Sequence, residues 1–242
     1  MKFNDCFKYP RLFVESDLAE NAQITLTTDQ LHYLKNVLRQ KPGDHVRIFN
    51  ARNGEWIATT ETLDKKTGTL KSTEQFKPQP EDEKPLHLLF APIKKKNMDF
   101  LIEKAVELGV TDLRPIITAR TQNTKINEQR MHARLIEAAE QCERLTIPKF
   151  HTAQPLQDLI KNWNPEQTIH WCAERFENTA LLSDCPDAGT FLIGPEGGFD
   201  DTETAHLQNA PFIQPIDLGD QILRAETAGI FCLSFAKAMR LK

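Results

Sequence analysis

The residues best suited to chemistry lie in two short stretches near the C-terminus. In the first, the apolar run Phe191-Leu192-Ile193 meets Gly194-Pro195-Glu196-Gly197-Gly198, and Asp200-Asp201-Thr202-Glu203 follows at once. Glycines at the end of a buried strand let backbone amides and carbonyls approach a ligand closely, or serve a tight turn with nothing bound. A phosphate-binding loop needs a bare helix N-terminus or a lysine. Here Glu196, Asp200, Asp201 and Glu203 surround that terminus, and neither G-x-G-x-x-G nor G-x-x-x-x-G-K-[ST] occurs. A nucleoside-like cofactor without phosphates fits better, and a cationic one best. S-adenosylmethionine, with its positive sulfonium, meets that description.

The second stretch is Ile216-Asp217-Leu218-Gly219-Asp220-Gln221-Ile222-Leu223-Arg224-Ala225-Glu226. Leu218, Ile222 and Leu223 are unusually apolar for a solvated loop. They suit either the walls of an adenine pocket or a place under a neighbouring helix. Arg224 and Glu226 could act on a substrate or simply form a local ion pair. A third group, Lys94-Lys95-Lys96, is either a phosphate-binding cluster or a solvated charge run.

These stretches need elements to hold them. Thr27 and Gln30 have capping-box spacing ahead of Leu31, Leu34, Val37 and Leu38, which predicts a helix stopped by Pro42-Gly43. His45 to Phe49 alternates like a half-buried strand, Asn53-Gly54 signals a hairpin into Trp56–Thr62, and Lys66-Thr67-Gly68 turns into a further strand. Residues 1–76 therefore read as a small β-barrel unit. Residues 77–85 hold Pro78, Pro80 and Pro85 among charges, bury nothing, and read as a linker. From 86 to 242, strands and helices alternate. Strands are expected at 86–91, 113–118, 168–172, 191–193 and 212–218, and helices at about 98–108, 130–141, 202–208 and 226–240. That pattern implies a mostly parallel sheet covered on both faces.

Composition narrows the class. The 242 residues carry 30 basic and 34 acidic side chains, a net charge of −4, and no uncharged run of the ~18 residues needed to span a bilayer. Five cysteines (Cys6, Cys142, Cys172, Cys185, Cys232), widely spaced and without C-x-x-C, predict reduced thiols, no metal and a cytoplasmic chain. Charge is uneven: residues 150–215 hold 2 basic against 10 acidic groups, so the remainder is free to meet a polyanion.

The order and spacing of several motifs resemble one family. Gly194-Pro195-Glu196-Gly197-Gly198, then Leu218-Gly219-x-x-Ile222-Leu223-Arg224-x-Glu226-Thr227-Ala228, look like the RsmE family of ribosomal RNA methyltransferases, members of the SPOUT superfamily. The likeness extends through Arg11-Leu12-Phe13-Val14, through His32, Val37-Leu38-Arg39 and Gly43-Asp44, and through Glu103-Lys104-Ala105 and Glu137-Ala138-Ala139-Glu140-Gln141. The resemblance implies an α/β fold with a SPOUT-type parallel sheet and a trefoil knot over 86–242. A PUA-like RNA-binding barrel over 1–76 would precede it. It further implies a homodimer that methylates N3 of a uridine in 16S ribosomal RNA of the small subunit from S-adenosylmethionine. Gly194, Pro195, Glu196, Gly197, Gly198, Leu218, Gly219, Ile222, Leu223 and Arg224 would hold the cofactor, and Arg224 and Glu226 would act in catalysis. Arg11, Lys35, Arg39, Arg52, Lys94, Lys95 and Lys96 would meet RNA phosphates. One departure stands out: Gln221 occupies a position where the family usually has Arg, and a neutral amide supplies no charge. A non-catalytic RNA-binding assembly factor and a dinucleotide enzyme are the competing readings, disfavoured by the acidic glycine loop and by the missing phosphate fingerprint respectively.

Overall fold

The computed structural model describes residues 6–81, 83–174, 176 and 179–241. The chain divides into two compact units, Met1–Glu83 with Ala139–Ile147, and Lys84–Ala138 with Pro148–Lys242.

The first unit contains β1 (Arg11–Phe13), β2 (Gln23–Thr25), α1 (Thr28–His32), β3 (His45–Phe49), β4 (Glu55–Leu63) and β5 (Gly68–Lys77). Its sheet has the order β1-β3-β4-β5-β2, with β1 parallel to β3 and the other pairs antiparallel. The capping box forms as its spacing predicts. Thr27 Oγ1 accepts from the Gln30 amide at 3.3 Å and Gln30 Oε1 accepts from the Thr27 amide at 3.0 Å. The helix does not run on regularly, however, but passes into a π turn over Tyr33–Val37. The hairpin signal at Asn53-Gly54 also resolves differently. The connection is the five residues 50–54, left-handed at Ala51 (φ 60°) and Gly54 (φ 75°), because Asn50 Oδ1 caps the amides of Arg52 and Asn53. Leu12, Ile24, Leu31, Leu34, Val46 and Leu70 form the core.

The second unit holds β6 (His87–Phe90), α2 (Lys95–Glu107), β7 (Asp112–Ile117), α3 (Glu128–Gln141), β8 (Lys149–Phe150), β9 (Gln154–Pro155), α4 (Leu156–Asn162), β10 (Ile169–Cys172), β11 (Ala180–Leu181), β12 (Thr190–Ile193), α5 (Asp201–Asn209), β13 (Ile213–Asp217) and α6 (Ala225–Arg240). The last turn of α3 clusters with the first unit. All strand pairings are parallel, in the order β11-β13-β10-β12-β6-β7-β8, with β9 pairing separately onto β7. This is the α/β architecture the alternating pattern implies. Every residue of β6 and of β12 is buried, as parallel strands covered on both faces must be. Leu89 packs toward Leu156, Leu159 and Leu207 of α4 and α5. Leu88 faces the other way, where a Cβ on Gly229 would lie 3.1 Å from Leu101 Cδ1 and 3.6 Å from Leu88. Gly229 thus lets α6 approach α2 and the sheet closely. The Cys172 and Cys232 thiols lie 3.5 Å apart, and that contact, with burial adding to it, pushes the Cys172 thiol up.

Candidate active site

Because the strands are parallel, the C-terminal ends of β6, β7, β10, β12 and β13 share one edge of the sheet, where ligands bind in open α/β folds. Both glycine loops leave from this edge. In the loop after β12, Pro195 is buried while Glu196, Gly197 and Gly198 are exposed. Gly198 is left-handed (φ 68°) and donates to the Pro195 carbonyl at 2.8 Å, a closure that favours glycine. Gly194 is required for a different reason: a Cβ there would sit 2.8 Å from the Phe199 ring. A Cβ on Gly197 would meet nothing nearer than the Arg120 side chain at 3.5 Å, and one on Gly198 nothing within 4 Å. The space above these two glycines is open.

The acidic cluster is smaller than the sequence suggests. Glu203 is 7% exposed, with one oxygen accepting from the Ala119 amide (2.7 Å) and the other from the Asp200 amide (3.1 Å). Asp200 in return accepts from the Glu203 amide at 2.7 Å. These two carboxylates cap α5 and bind it to the segment after β7. Glu196 and Asp201 are the ones left at the surface.

In the loop after β13, Gly219 is left-handed (φ 111°) and donates to Asp217 Oδ1 at 2.9 Å. Leu218 and Leu223 are half-buried, while Ile222 is 60% exposed. Ile222 is therefore no core residue, which leaves the ligand-wall alternative for it. Arg224 is the exposed N-cap of α6, and among the described residues its guanidinium makes no hydrogen bond or ion pair. Glu226 does not pair with it. Glu226 Oε1 accepts instead from Asn97 Nδ2 at 2.9 Å, which fastens the first turn of α6 to the first turn of α2.

That bond collects cations where helix electrostatics disfavour them. Lys94 is the N-cap of α2, Lys95 and Lys96 follow it, and its first turn holds no acid. All three are exposed. Lysines at a helix N-terminus oppose the macrodipole by about 0.3–1 kcal/mol each at the surface. Lys94 and Lys95 line a cavity of about 340 Å³ with Pro92, Ile93, Gln122 and Glu196. A larger cavity, about 430 Å³, lies at the N-terminal ends of β6, β10 and β12 against His87, His170 and Thr190. It is on the opposite edge from the glycine loops, whereas the smaller cavity borders the loop after β12 through Glu196.

Three of the residues expected at RNA fare differently. Arg11 is 6% exposed, donates to Glu55 Oε1 (2.6 Å) and to the Ala139 and Arg144 carbonyls (2.5 and 2.7 Å), and lies 3.7 Å above the Phe49 ring. No face remains for a phosphate, and Arg11 is a structural residue of the first unit. Lys35 Nζ is held by the Leu63 and Asp64 carbonyls at 2.8 Å each, and Arg52 pairs with Asp17 at 2.8 Å. Arg39 is exposed. Two site residues were not read from the sequence. Arg120 donates to the Gly197 carbonyl at 2.7 Å, and its place just beyond β7 was the available signal. Asn97 carried none, since its partner is 129 positions away.

The chain matches two family models, an RNA methyltransferase domain over residues 80–237 and an RNA methyltransferase PUA domain over 26–71. It is 37% identical over 94% of its length to the ribosomal RNA small subunit methyltransferase E of Rickettsia conorii, covering 94% of that protein. It is 35% identical over 95% of its length to the protein of the same name from a Synechocystis strain, covering 77% of it. Among solved structures it resembles the ribosomal RNA small subunit methyltransferase E of Neisseria gonorrhoeae bound to S-adenosylmethionine (TM-score 0.82, 25% identity, 96% of this chain and 97% of that one). It also resembles a Legionella pneumophila protein described as a methyltransferase with bound cofactor (TM-score 0.83, 27% identity, 96% and 98%).

Proposed function

The chain belongs to the ribosomal RNA small subunit methyltransferase E family, and from that premise we propose that it methylates N3 of a uridine in 16S ribosomal RNA, using S-adenosylmethionine. One observation carries the placement. The Asn97–Glu226 bond joins the N-termini of two helices, and with them Lys94–Lys96 and Arg224, on the sheet edge from which both glycine loops leave.

The residues fit the cofactor. The space over Gly197, Gly198 and Gly219 is clear, Leu218, Ile222 and Leu223 supply apolar walls, and Glu196 supplies a carboxylate for a cation. When bound, that group supplies a methyl on a positive sulfonium. The chain's own part is to hold the uracil and stabilise the charge left when its N3 proton departs. Arg224 is suited to the second task, because a guanidinium facing a uracil carbonyl favours the anion. Glu226, held through Oε1, keeps Oε2 to orient Arg224 or receive the proton. N3 is used in base pairing, so the target is unpaired or flipped out. Lys94, Lys95 and Lys96 would hold its flanking phosphates.

The resemblance also supports a trefoil knot. It would lie in the segment that runs from β12 through β13 into α6, which packs against β6 and β12. A homodimer suits Phe100 and Phe231, which stand 49% and 47% exposed on the packed helices α2 and α6. Among the described residues no helix is long and apolar enough to cross a membrane. The reading places the protein in the cytoplasm with the small subunit.

Two variants test it. Gly197→Val meets no backbone in the protein, so it should fold normally yet lose S-adenosylmethionine binding by calorimetry. Arg224→Ala should keep that affinity and lose methyl transfer to small-subunit RNA by about 100-fold or more, the scale of a lost charge-stabilising donor. Normal cofactor affinity in a folded Gly197→Val protein, or equal losses of affinity and transfer in Arg224→Ala, would overturn the respective assignments.

A further inference from the structure

The first unit exposes a patch that its fold does not explain. Tyr33, Val37 and Leu38 are 40%, 57% and 39% exposed, and all three lie on or beside the π turn that ends α1. The Leu38 amide donates to the Tyr33 carbonyl at 2.9 Å, so one wide turn separates Tyr33 from Val37 and Leu38 along the backbone. The chain then closes through Arg39. The Gln40 amide reaches back to the Leu34 carbonyl at 2.9 Å, which puts Arg39 in the left-handed region at φ 56°. Such helix closures ordinarily use glycine, because a Cβ is disfavoured there. Here the position keeps an arginine whose side chain is exposed and, among the described residues, bonds to nothing.

Charge selects the occupant. From Gln30 to Gly43 the sequence carries Lys35, Arg39 and Lys41 and no acid. An exposed phenol ring, small aliphatic neighbours and a guanidinium kept against backbone preference suit an unpaired nucleotide, its base on the ring and its phosphate on the cation. We propose that Tyr33, flanked by Val37 and Leu38 and paired with Arg39, is a stacking platform for one unpaired nucleotide of the RNA substrate. This rests on the RNA-methylating function proposed above and adds a contact in the first unit.

The test uses the full chain and a fluorescein-labelled single-stranded oligoribonucleotide, read by anisotropy, with S-adenosylmethionine affinity and melting temperature measured on the same samples. Tyr33→Ala should weaken RNA binding by about tenfold, the scale of one lost base–aromatic stack, and Tyr33→Phe should restore it. Arg39→Gly should also weaken RNA binding while leaving the melting temperature unchanged or raised, since glycine suits that backbone. A structural role for Arg39 predicts the reverse. Cofactor affinity should not move in any variant. Equal RNA affinity in wild type, Tyr33→Ala and Arg39→Gly would overturn the platform and leave the methyltransferase reading standing. Normal affinity for naked RNA with lost transfer to whole small subunits would also overturn it, assigning the patch to a protein partner. Failure of the wild type to bind RNA or S-adenosylmethionine would sink both.

Discussion

A histidine buried without an acid shows how single residues set this protein's response to pH. His170 is 7% exposed, its Nδ1 faces the Thr190 carbonyl at 3.3 Å, and its ring tilts against Phe191. Burial pushes its pKa below the ordinary 6.5, only partly offset by that carbonyl. His87 and His151 are pushed down for the same reason, against the pull of Asp112. A group whose folded pKa is depressed binds protons more readily in the unfolded chain. Folding stability should therefore be flat above about pH 7 and fall as pH drops through 6.5. Asp112, its acidity strengthened by His151 and Thr111 despite burial, adds a further loss at lower pH. Replacing His170→Phe should flatten the slope below pH 6.5 by up to about 1.4 kcal/mol per pH unit, the contribution of one proton. Urea denaturation at pH 5.5, 6.5 and 7.5 measures it. An unchanged slope would mean that His170 does not titrate differently on folding.

At the scale of elements, the start of β4 is fixed by charge rather than by apolar pattern. Glu55 is fully buried and meets Arg11 at 2.6 Å, Arg47 at 3.6 Å and Lys77 at 3.7 Å. Removing its charge leaves the buried Arg11 guanidinium without a carboxylate and Arg47 with Glu143 alone, so Glu55→Gln should lower stability by about 3–5 kcal/mol. The exposed pair Arg134–Glu137 is worth about 0–1 kcal/mol by contrast. Denaturant midpoints separate the two, and a Glu55→Gln cost as small as the surface pair's would refute the network's role. The same network marks where sequence reading stops. His45–Phe49 was legible as a strand because its signal is local alternation, and the α1 cap because its partners are three positions apart. The glycine loops were legible because positive φ is a local demand, met at Gly198 and Gly219. Arg11 is not legible as buried because an arginine is ordinarily exposed, and the contacts that bury it come from Phe49, Glu55 and Arg144, distant in sequence. Helix α4 and the two-residue strands β8 and β9 carry little local pattern, since burial of Leu156 and Leu159 holds the helix and pairing onto β7 holds the strands.

For the whole molecule, the two units suggest two tasks, and the reach of the first unit along the chain makes the division testable. Residues 86–242 contain every strand of the parallel sheet and both glycine loops, so we expect this fragment to fold and to bind S-adenosylmethionine like the full chain. It lacks the partners of Ala139–Ile147, however. In the full chain Arg11 binds the Ala139 and Arg144 carbonyls, Arg47 and Lys77 bind Glu143 at 2.8 and 3.1 Å, and Glu83 binds Arg144 at 2.5 Å. Without them the segment loses its anchors, and trypsin should cut after Arg144 in the fragment at concentrations that spare the intact protein. Transfer to small-subunit RNA should be lost as well, because the Tyr33–Arg39 platform is gone while the cofactor loops remain. Protection of Arg144 in the fragment would show that the second unit holds the segment by itself. Undiminished transfer would show that the first unit contributes no RNA contact, and loss of cofactor affinity would show that the two tasks share one site.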